Sequence, residues 1–198
     1  MSSQVDRVPL GAWSLKLTTV TLSPRIGGRG EVIPVKAHPL LLILPALACL
    51  GVLSAGGDLA AFLLVLCVYG PFMWMTVMVH ELGHAWMASR CGAAPLELLL
   101  WPLGGLLSVA VNGQTPRERF LIALFGPLTH IPMTLLWVFL AWCFMGFDAE
   151  GELSEGWYKR KVAEEYGWAW FVALATEMYS MNIMMFVFNA LVPCWPLD

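Results

Sequence analysis

The chain has 198 residues, of which 59% are hydrophobic and 13% are charged, whereas soluble domains have roughly 45–50% and 25%. This composition excludes an ordinary soluble domain and indicates an integral protein of the lipid bilayer. The net charge of −3 is small, and no basic cluster argues for a nucleic-acid partner. The five cysteines are odd in number and form no C-x-x-C pair, so we predict no disulfide framework.

Residues 1–37 are polar, and we predict an irregular N-terminal arm that precedes a transmembrane core over residues 38–198. The arm lacks the early apolar segment of a cleavable signal peptide. The arm contains five basic residues, Arg7, Lys16, Arg25, Arg29 and Lys36. The turn after the first apolar segment contains none. Because Lys and Arg concentrate on the cytoplasmic side of membrane proteins, this difference predicts a cytoplasmic N-terminus.

Two apolar segments follow, at residues 38–55 and 59–79, and only the turn Gly56-Gly57-Asp58 separates them. The short turn predicts two antiparallel neighbouring helices. At about 1.5 Å per residue, the second segment is long enough to cross a hydrocarbon core. It contains Gly70-Pro71, which predicts a kink; such a kink either opens space within the membrane or simply serves packing.

The second segment continues without a breaker into His80-Glu81-Leu82-Gly83-His84. On a helix, His80 and His84 project from one face, one turn apart, which is the spacing with which two imidazoles bind one Zn²⁺. Glu81 can then reach a water molecule at the metal. A chance H-E-x-x-H and a soluble zinc protease are the alternatives. Both are disfavoured by the flanking apolar residues, since isolated polar groups are costly in lipid.

A short apolar stretch at residues 96–111 is interrupted by Pro102 and by Gly104-Gly105. It is too short and too broken for a spanning helix. We predict a β-hairpin that lies in or against the membrane, with the glycine pair in its turn. Because an unpaired backbone edge cannot face lipid, one edge must be covered or kept for a partner strand.

Two further spans are predicted, at about residues 118–146 and 168–192, separated by an acidic loop. Thr115-Pro116 has the pattern of an N-cap followed by proline at the first helical position. The predicted fold is therefore an all-α polytopic membrane protein with about four transmembrane helices and a small membrane-associated β-hairpin. With the N-terminus cytoplasmic, this topology brings the H-E-x-x-H motif and Asp198 to the cytoplasmic side.

Four segments together resemble the site-2 protease family of intramembrane zinc metalloproteases: HELGH, PLGG, PRERFLIALFGPLTH and FNALVPCWPLD. The resemblance extends from about His38 to Asp198. It implies a three-helix catalytic core that cleaves membrane-spanning protein substrates. It also implies a role for each matching residue: His80, His84 and Asp198 as zinc ligands, Glu81 as catalytic base, and Asn189 as a group that orients or polarises the substrate carbonyl.

The chain departs from the family pattern at three positions. It stops at Asp198, where the family continues, and so we expect a fragment. The interval from Asn189 to Asp198 is one residue longer than usual. His130 stands where the family more often has Asn after its Gly-Pro; a hydrogen-bonded interior histidine is favoured there over a catalytic one.

The sequence thus predicts a zinc metalloendopeptidase that acts on membrane-spanning proteins near the cytoplasmic face. The hairpin would bind an extended substrate segment as an added strand, and Gly104 and Gly105 are the predicted substrate-binding residues. A membrane metal-handling transporter and an inactive, protease-like membrane scaffold are the alternatives. The substrate's identity and the oligomeric state are left open.

Overall fold

A computed structural model describes residues 14–22, 31–102, 104–110, 113–145 and 169–191. Asp198, the acidic loop, and Arg7, Arg25 and Arg29 of the arm lie outside these residues. The elements, in chain order, are strands β1 (Leu15–Leu22) and β2 (Glu31–Ala37), helices α1 (Ile43–Ser54), α2 (Leu59–Cys67) and α3 (Met73–Arg90), strands β3 (Ala94–Trp101) and β4 (Gly104–Ala110), and helices α4 (Pro116–Leu128), α5 (His130–Met145) and α6 (Ala169–Leu191).

Three helical segments of the described chain are long and apolar enough to cross a membrane, namely Leu59–Arg90, Pro116–Cys143 and Trp170–Ala190. They match the second, third and fourth predicted spans. The first predicted span is a shorter apolar helix, Pro39–Ser54, which consists of a four-residue 3₁₀ turn and the twelve residues of α1. It falls below the roughly 20 residues that a full crossing takes. The structure thus supports three spans by length and leaves the first predicted span, and with it the count of four, unconfirmed.

Helices α2 and α3 form one long segment with a kink, as the sequence predicts. The five residues Val68–Phe72 form a turn of π-helix, in which Gly70 has a non-helical backbone (φ −98°, ψ −112°). Pro71 has no amide hydrogen and cannot continue the helical hydrogen-bond ladder. The kink bends the segment about two to three turns before His80.

The predicted hairpin is present, and it belongs to a four-stranded sheet in the order β1-β2-β3-β4. Strands β1 and β2 are antiparallel, β2 and β3 parallel, and β3 and β4 antiparallel. The predicted turn position is wrong: Trp101 pairs with Gly104 and Leu100 with Gly105. The glycines therefore begin β4, and Pro102, which directly follows β3, is better suited to the turn because its fixed φ matches the first central position of a turn.

The prediction of an irregular arm is also wrong, since residues 15–22 and 31–37 form two strands. The first has an alternating, β-branched pattern, LKLTTVTL, that is typical of strands. Strand β2 pairs with β3 from Val35 to Ala37. The arm therefore covers the edge of β3 that faces away from β4. The boundary at residue 37 stays a prediction, although strands from both sides of it form one sheet.

The sheet packs directly on α3. A buried cluster joins β2, β3 and the motif helix: Ile33, Val35, Leu41, Val77, Ala85, Leu98 and Leu100. On the outside of α1 and α5, large apolar side chains are exposed instead, as expected where lipid is the solvent. The packing fixes the hairpin beside the H-E-x-x-H residues.

Candidate metal centre

The two motif histidines converge in the middle of α3. His80 and Glu81 are buried, and His84 is half-buried. Nε2 of His80 lies 3.1 Å from Nε2 of His84, and the two ring centroids are 4.7 Å apart. The helical spacing of four residues thus gives a pair of nitrogens directed at one point.

A backbone contact fixes the orientation of His84. Its Nδ1 lies 2.7 Å from the carbonyl oxygen of Ile122 in α4. Because a carbonyl only accepts, Nδ1 donates, and the lone pair of the neutral ring is on Nε2. This is the arrangement in which metal-binding histidines are usually held.

The geometry of the pair fits a zinc ion. Two ligand nitrogens of a tetrahedral Zn²⁺, each 2.0–2.1 Å from the metal, are about 3.3 Å apart, close to the 3.1 Å between the two Nε2 atoms. Within the described residues, no group of three His, Cys, Asp or Glu side chains completes a metal site. The two histidines therefore supply part of a ligand set, and Asp198, the third predicted ligand, lies outside the described chain.

A cavity of about 470 Å³ opens beside the pair. Five residues predicted from the sequence line it: His80, Glu81, Gly104, Gly105 and Asn189. The remaining wall consists of apolar residues of α3 and α6 and of one further polar residue, His130 in α5. The structure thus brings the predicted base, one predicted ligand and the glycines of β4 to one space.

Asn189 lines this cavity, but its side-chain amide donates to the carbonyl oxygen of Met185 in its own helix, at 2.8 Å. The structure shows no hydrogen bond between Asn189 and the motif residues in the described chain. Its catalytic role therefore stays a prediction.

Two glycines make room for the motif side chains. A Cβ on Gly105 would overlap the side chain of Glu81, and one on Gly126 would overlap the imidazole of His84. Only glycine permits such close backbone approach. The contact of Gly126 was not predicted, although its place in a Gly-Pro pair inside an apolar span was a signal for close packing.

His130 is a buried, hydrogen-bonded histidine, which is the interpretation that the sequence favours. Its Nε2 lies 3.0 Å from Nδ1 of His80, and its Nδ1 lies 3.0 Å from Oδ1 of Asn182. The contact with His80 was not predicted, because no local pattern connects residues 50 positions apart.

The sequence is similar to a known peptidase family and to curated members of related proteins. The sequence model of Peptidase family M50 matches residues 71–198, more than half of the chain. Stage IV sporulation protein FB of Bacillus subtilis is 30% identical over 169 residues, which are 84% of this chain and 45% of that protein. Zinc metalloprotease MJ0392 of Methanocaldococcus jannaschii is 26% identical over 127 residues, 64% of this chain and 30% of that protein.

A solved structure, the site-2 protease from Methanocaldococcus jannaschii, matches with a TM-score of 0.48 and 21% identity, over 91% of this chain and 68% of that one. The chain spans less than half the length of the curated relatives that it matches. The extent of the family match and the names of the curated relatives confirm the resemblance drawn from the motifs: the chain belongs to peptidase family M50.

Proposed function

We propose that this chain is an intramembrane zinc metalloendopeptidase that hydrolyses peptide bonds of membrane-spanning proteins. One observation carries the proposal: the Nε2 atoms of His80 and His84 converge, 3.1 Å apart, within a spanning helix and beside a cavity that Glu81 lines. Polar and ionisable side chains within a membrane carry a free-energy cost, and they are usually retained there because they have a function.

His80, His84 and Asp198 would hold the zinc. The path of α6 supports this assignment, because Met184, Met185, Phe188 and Asn189 line the same cavity as His80. Asp198 follows Asn189 by nine positions in the sequence. A bound Zn²⁺ supplies Lewis-acid chemistry, which activates water and polarises a carbonyl.

Glu81 is the proposed general base. Glu81 is buried, and its side chain lines the cavity beside the two histidines. It would take a proton from the attacking water and return that proton to the leaving amine. Asn189 would give up its bond to Met185 and donate its amide to the substrate carbonyl.

The edge of β4 is the proposed binding site for the substrate segment. Strand β4 pairs with β3 on one side, and its other edge has no partner strand among the described residues. Gly105 brings this strand into contact with Glu81. A substrate segment that unwinds and adds to this edge would present its carbonyl groups to the cavity.

The proposed orientation has the N-terminal arm and the hairpin in the cytoplasm. The basic arm supports it, and so does the pairing of Val35 with Leu98, which joins the arm to the hairpin in one sheet. Cysteine labelling of intact cells should find Ser89 and Gly113, placed as single cysteines, accessible from the cytoplasm. Labelling from outside the cell would overturn this orientation.

Replacement of one carboxylate tests the function. Glu81→Gln keeps the shape of the side chain but removes its basicity, so cleavage of a membrane-spanning substrate in liposomes should fall by about 10²–10⁴-fold while zinc stays bound. Glu97→Gln is the matched control: Glu97 lies in β3 and pairs with Lys36 at 2.6 Å, away from the cavity. It should retain cleavage within about twofold.

The same experiment separates the alternatives. A metal transporter has no peptide cleavage to lose, and an inactive scaffold shows none in the parent protein either. Parent-level cleavage by Glu81→Gln with its zinc in place would contradict the proposed mechanism.

A further inference from the structure

A chain of hydrogen bonds connects three helices behind the metal centre. The side-chain nitrogen Nδ2 of Asn182 in α6 lies 2.8 Å from the backbone carbonyl oxygen of Met178. Oδ1 of Asn182 lies 3.0 Å from Nδ1 of His130, and Nε2 of His130 lies 3.0 Å from Nδ1 of His80. All three side chains are buried, and Asn182 and His130 are almost completely so, at 0% and 1% exposure.

The direction of every bond follows from the outer end of the chain. The Met178 carbonyl only accepts, so it must face the NH₂ group of Asn182, and the amide oxygen therefore faces His130. That oxygen also only accepts, so Nδ1 of His130 carries the hydrogen. The Nε2 atom of a neutral His130 ring then accepts, and Nδ1 of His80 must donate to it.

The consequence is a defined tautomer for the zinc-facing ring. With its hydrogen on Nδ1, His80 has its lone pair on Nε2, the atom that faces Nε2 of His84. His84 reaches the same state by a different route, since its Nδ1 donates to the backbone carbonyl of Ile122. One ligand is thus oriented by backbone, and the other by side chains from two further helices.

We propose that His130 and Asn182 are positioning residues that hold His80 in its zinc-binding tautomer and orientation. This inference rests on the zinc site proposed above. His80 is buried, and its Nδ1 lies against Nε2 of His130, so α5 supplies the acceptor that a buried donor within the membrane needs. An acceptor for the second nitrogen of a ligand histidine fixes its ring and raises its basicity, and the loss of such a partner typically costs 10–100-fold in metal affinity.

A direct ligand role for His130 is the competing explanation. The geometry disfavours it, because Nε2 of His130 faces Nδ1 of His80 and not the point where the two Nε2 atoms of His80 and His84 converge. The two explanations differ in the role of Asn182. If Asn182 and His130 form a hydrogen-bond relay to His80, the loss of Asn182 weakens zinc binding. If His130 binds zinc directly, the protein keeps most of its zinc affinity without Asn182.

Matched substitutions at position 130 test the relay through zinc affinity, measured in detergent by competition with a chromophoric chelator. His130→Gln can place its amide oxygen near the site of Nε2 and accept from His80, whereas His130→Met has similar length and no such acceptor. We expect affinity to fall about 10–100-fold in the Met variant and to stay within about fivefold in the Gln variant. Thr129→Val is the control, since its hydroxyl bonds only the Gly126 carbonyl in the described chain, and it should match the parent.

A double-variant cycle tests whether the two residues act together. Asn182→Leu alone should weaken zinc binding by about three- to tenfold, a part of the loss expected for a removed ligand partner. Added to His130→Met, it should cause little further loss, because the relay is already broken. Losses that multiply would show two independent structural effects and overturn the proposal.

Nitrogen NMR of ¹⁵N-histidine-labelled, zinc-loaded parent protein provides a second measurement that needs no variant to fold. His80, His84 and His130 should all carry hydrogen on Nδ1, with zinc-bound Nε2 signals only for His80 and His84. Hydrogen on Nε2 of His130, or a zinc-bound signal from it, would overturn the relay.

The outcomes also separate this inference from the proposed function. If the parent binds no zinc, the metal site fails, and the relay fails with it. If the parent and His130→Met bind zinc equally well, the relay is wrong and the zinc site stands. The same conclusion follows if His130→Gln and His130→Met lose zinc affinity equally while Asn182→Leu loses none.

Discussion

The interior around α3 and the outward surface of α1 and α5 differ in where polar and apolar side chains lie. Most of the buried polar side chains of the described chain lie on α3, α5 and α6, and three of them line the cavity: His80, Glu81 and His130. On the outside, leucine and phenylalanine are exposed, as at Leu47 (60%) and Leu135 (64%). In lipid an apolar surface has no need of burial, whereas every polar atom needs a partner. The comparison therefore predicts that stability and function depend on the interior residues far more than on the outer ones.

The largest effect should follow from removal of both motif imidazoles. Purified parent protein should contain about one zinc ion per chain, which is the stoichiometry of a mononuclear site, and His80→Ala with His84→Ala should contain none. His38→Ala is the control, because its ring accepts from the Leu40 amide at the start of the 3₁₀ turn and lies outside the cavity lining. Equal zinc in the double variant would show that the interior polar residues serve another purpose.

Gly126→Ala should have the next largest effect. The added Cβ would overlap the imidazole of His84, so the ring must move from its bond to Ile122. We expect zinc affinity to fall by about tenfold or more, the scale of other disturbed ligand supports. Gly51→Ala in α1 has open space at its Cβ and should retain the parent affinity; an unchanged Gly126→Ala variant would contradict the proposed packing.

Gly105→Ala should separate cleavage from metal binding. Its Cβ would overlap the Glu81 side chain, so turnover should fall by about tenfold or more, within the range of a disturbed general base, while zinc stays bound. Gly104→Pro and Gly105→Pro should also reduce turnover at unchanged zinc content, because proline cannot adopt the Gly104 backbone (φ +144°). Full activity in all three variants would show that β4 is only structural.

The smallest effect is expected on the outer surface. Leu135→Ala should leave zinc content and turnover within about twofold and the Tm nearly unchanged, since an exposed side chain loses only lipid contacts. Met178→Ala is the interior counterpart: Met178 is fully buried between helices, and its truncation should cost about 2–5 kcal/mol of stability. Similar Tm shifts in both variants would contradict the comparison on which these predictions rest.

The sequence predicts the parts of the site that one helix determines. The spacing of His80 and His84, the kink at Gly70 and the three long spans all follow from residues within a few turns of each other. The hairpin was also predictable, from two apolar runs around Pro102.

The remaining features depend on contacts between distant segments. Gly126 meets His84 only because α4 packs on α3, and His130 meets His80 only because α5 lies behind the motif. The strand at residues 31–37 gains its structure from β3; the arm's polar composition concealed it. Local sequence patterns do not predict contacts between distant segments. The sequence could therefore single out His130 as a buried histidine but could not predict its contact with His80.

Zinc K-edge X-ray absorption of the purified parent protein tests the central claim most directly. The account predicts a first shell with two imidazole nitrogens at about 2.0–2.1 Å, completed by oxygen donors. Substitution of His84 by Ala should remove one imidazole from that shell or release the metal. A shell without imidazole, a shell with sulfur donors, or a third imidazole from His130 would contradict a centre built on the His80 and His84 pair.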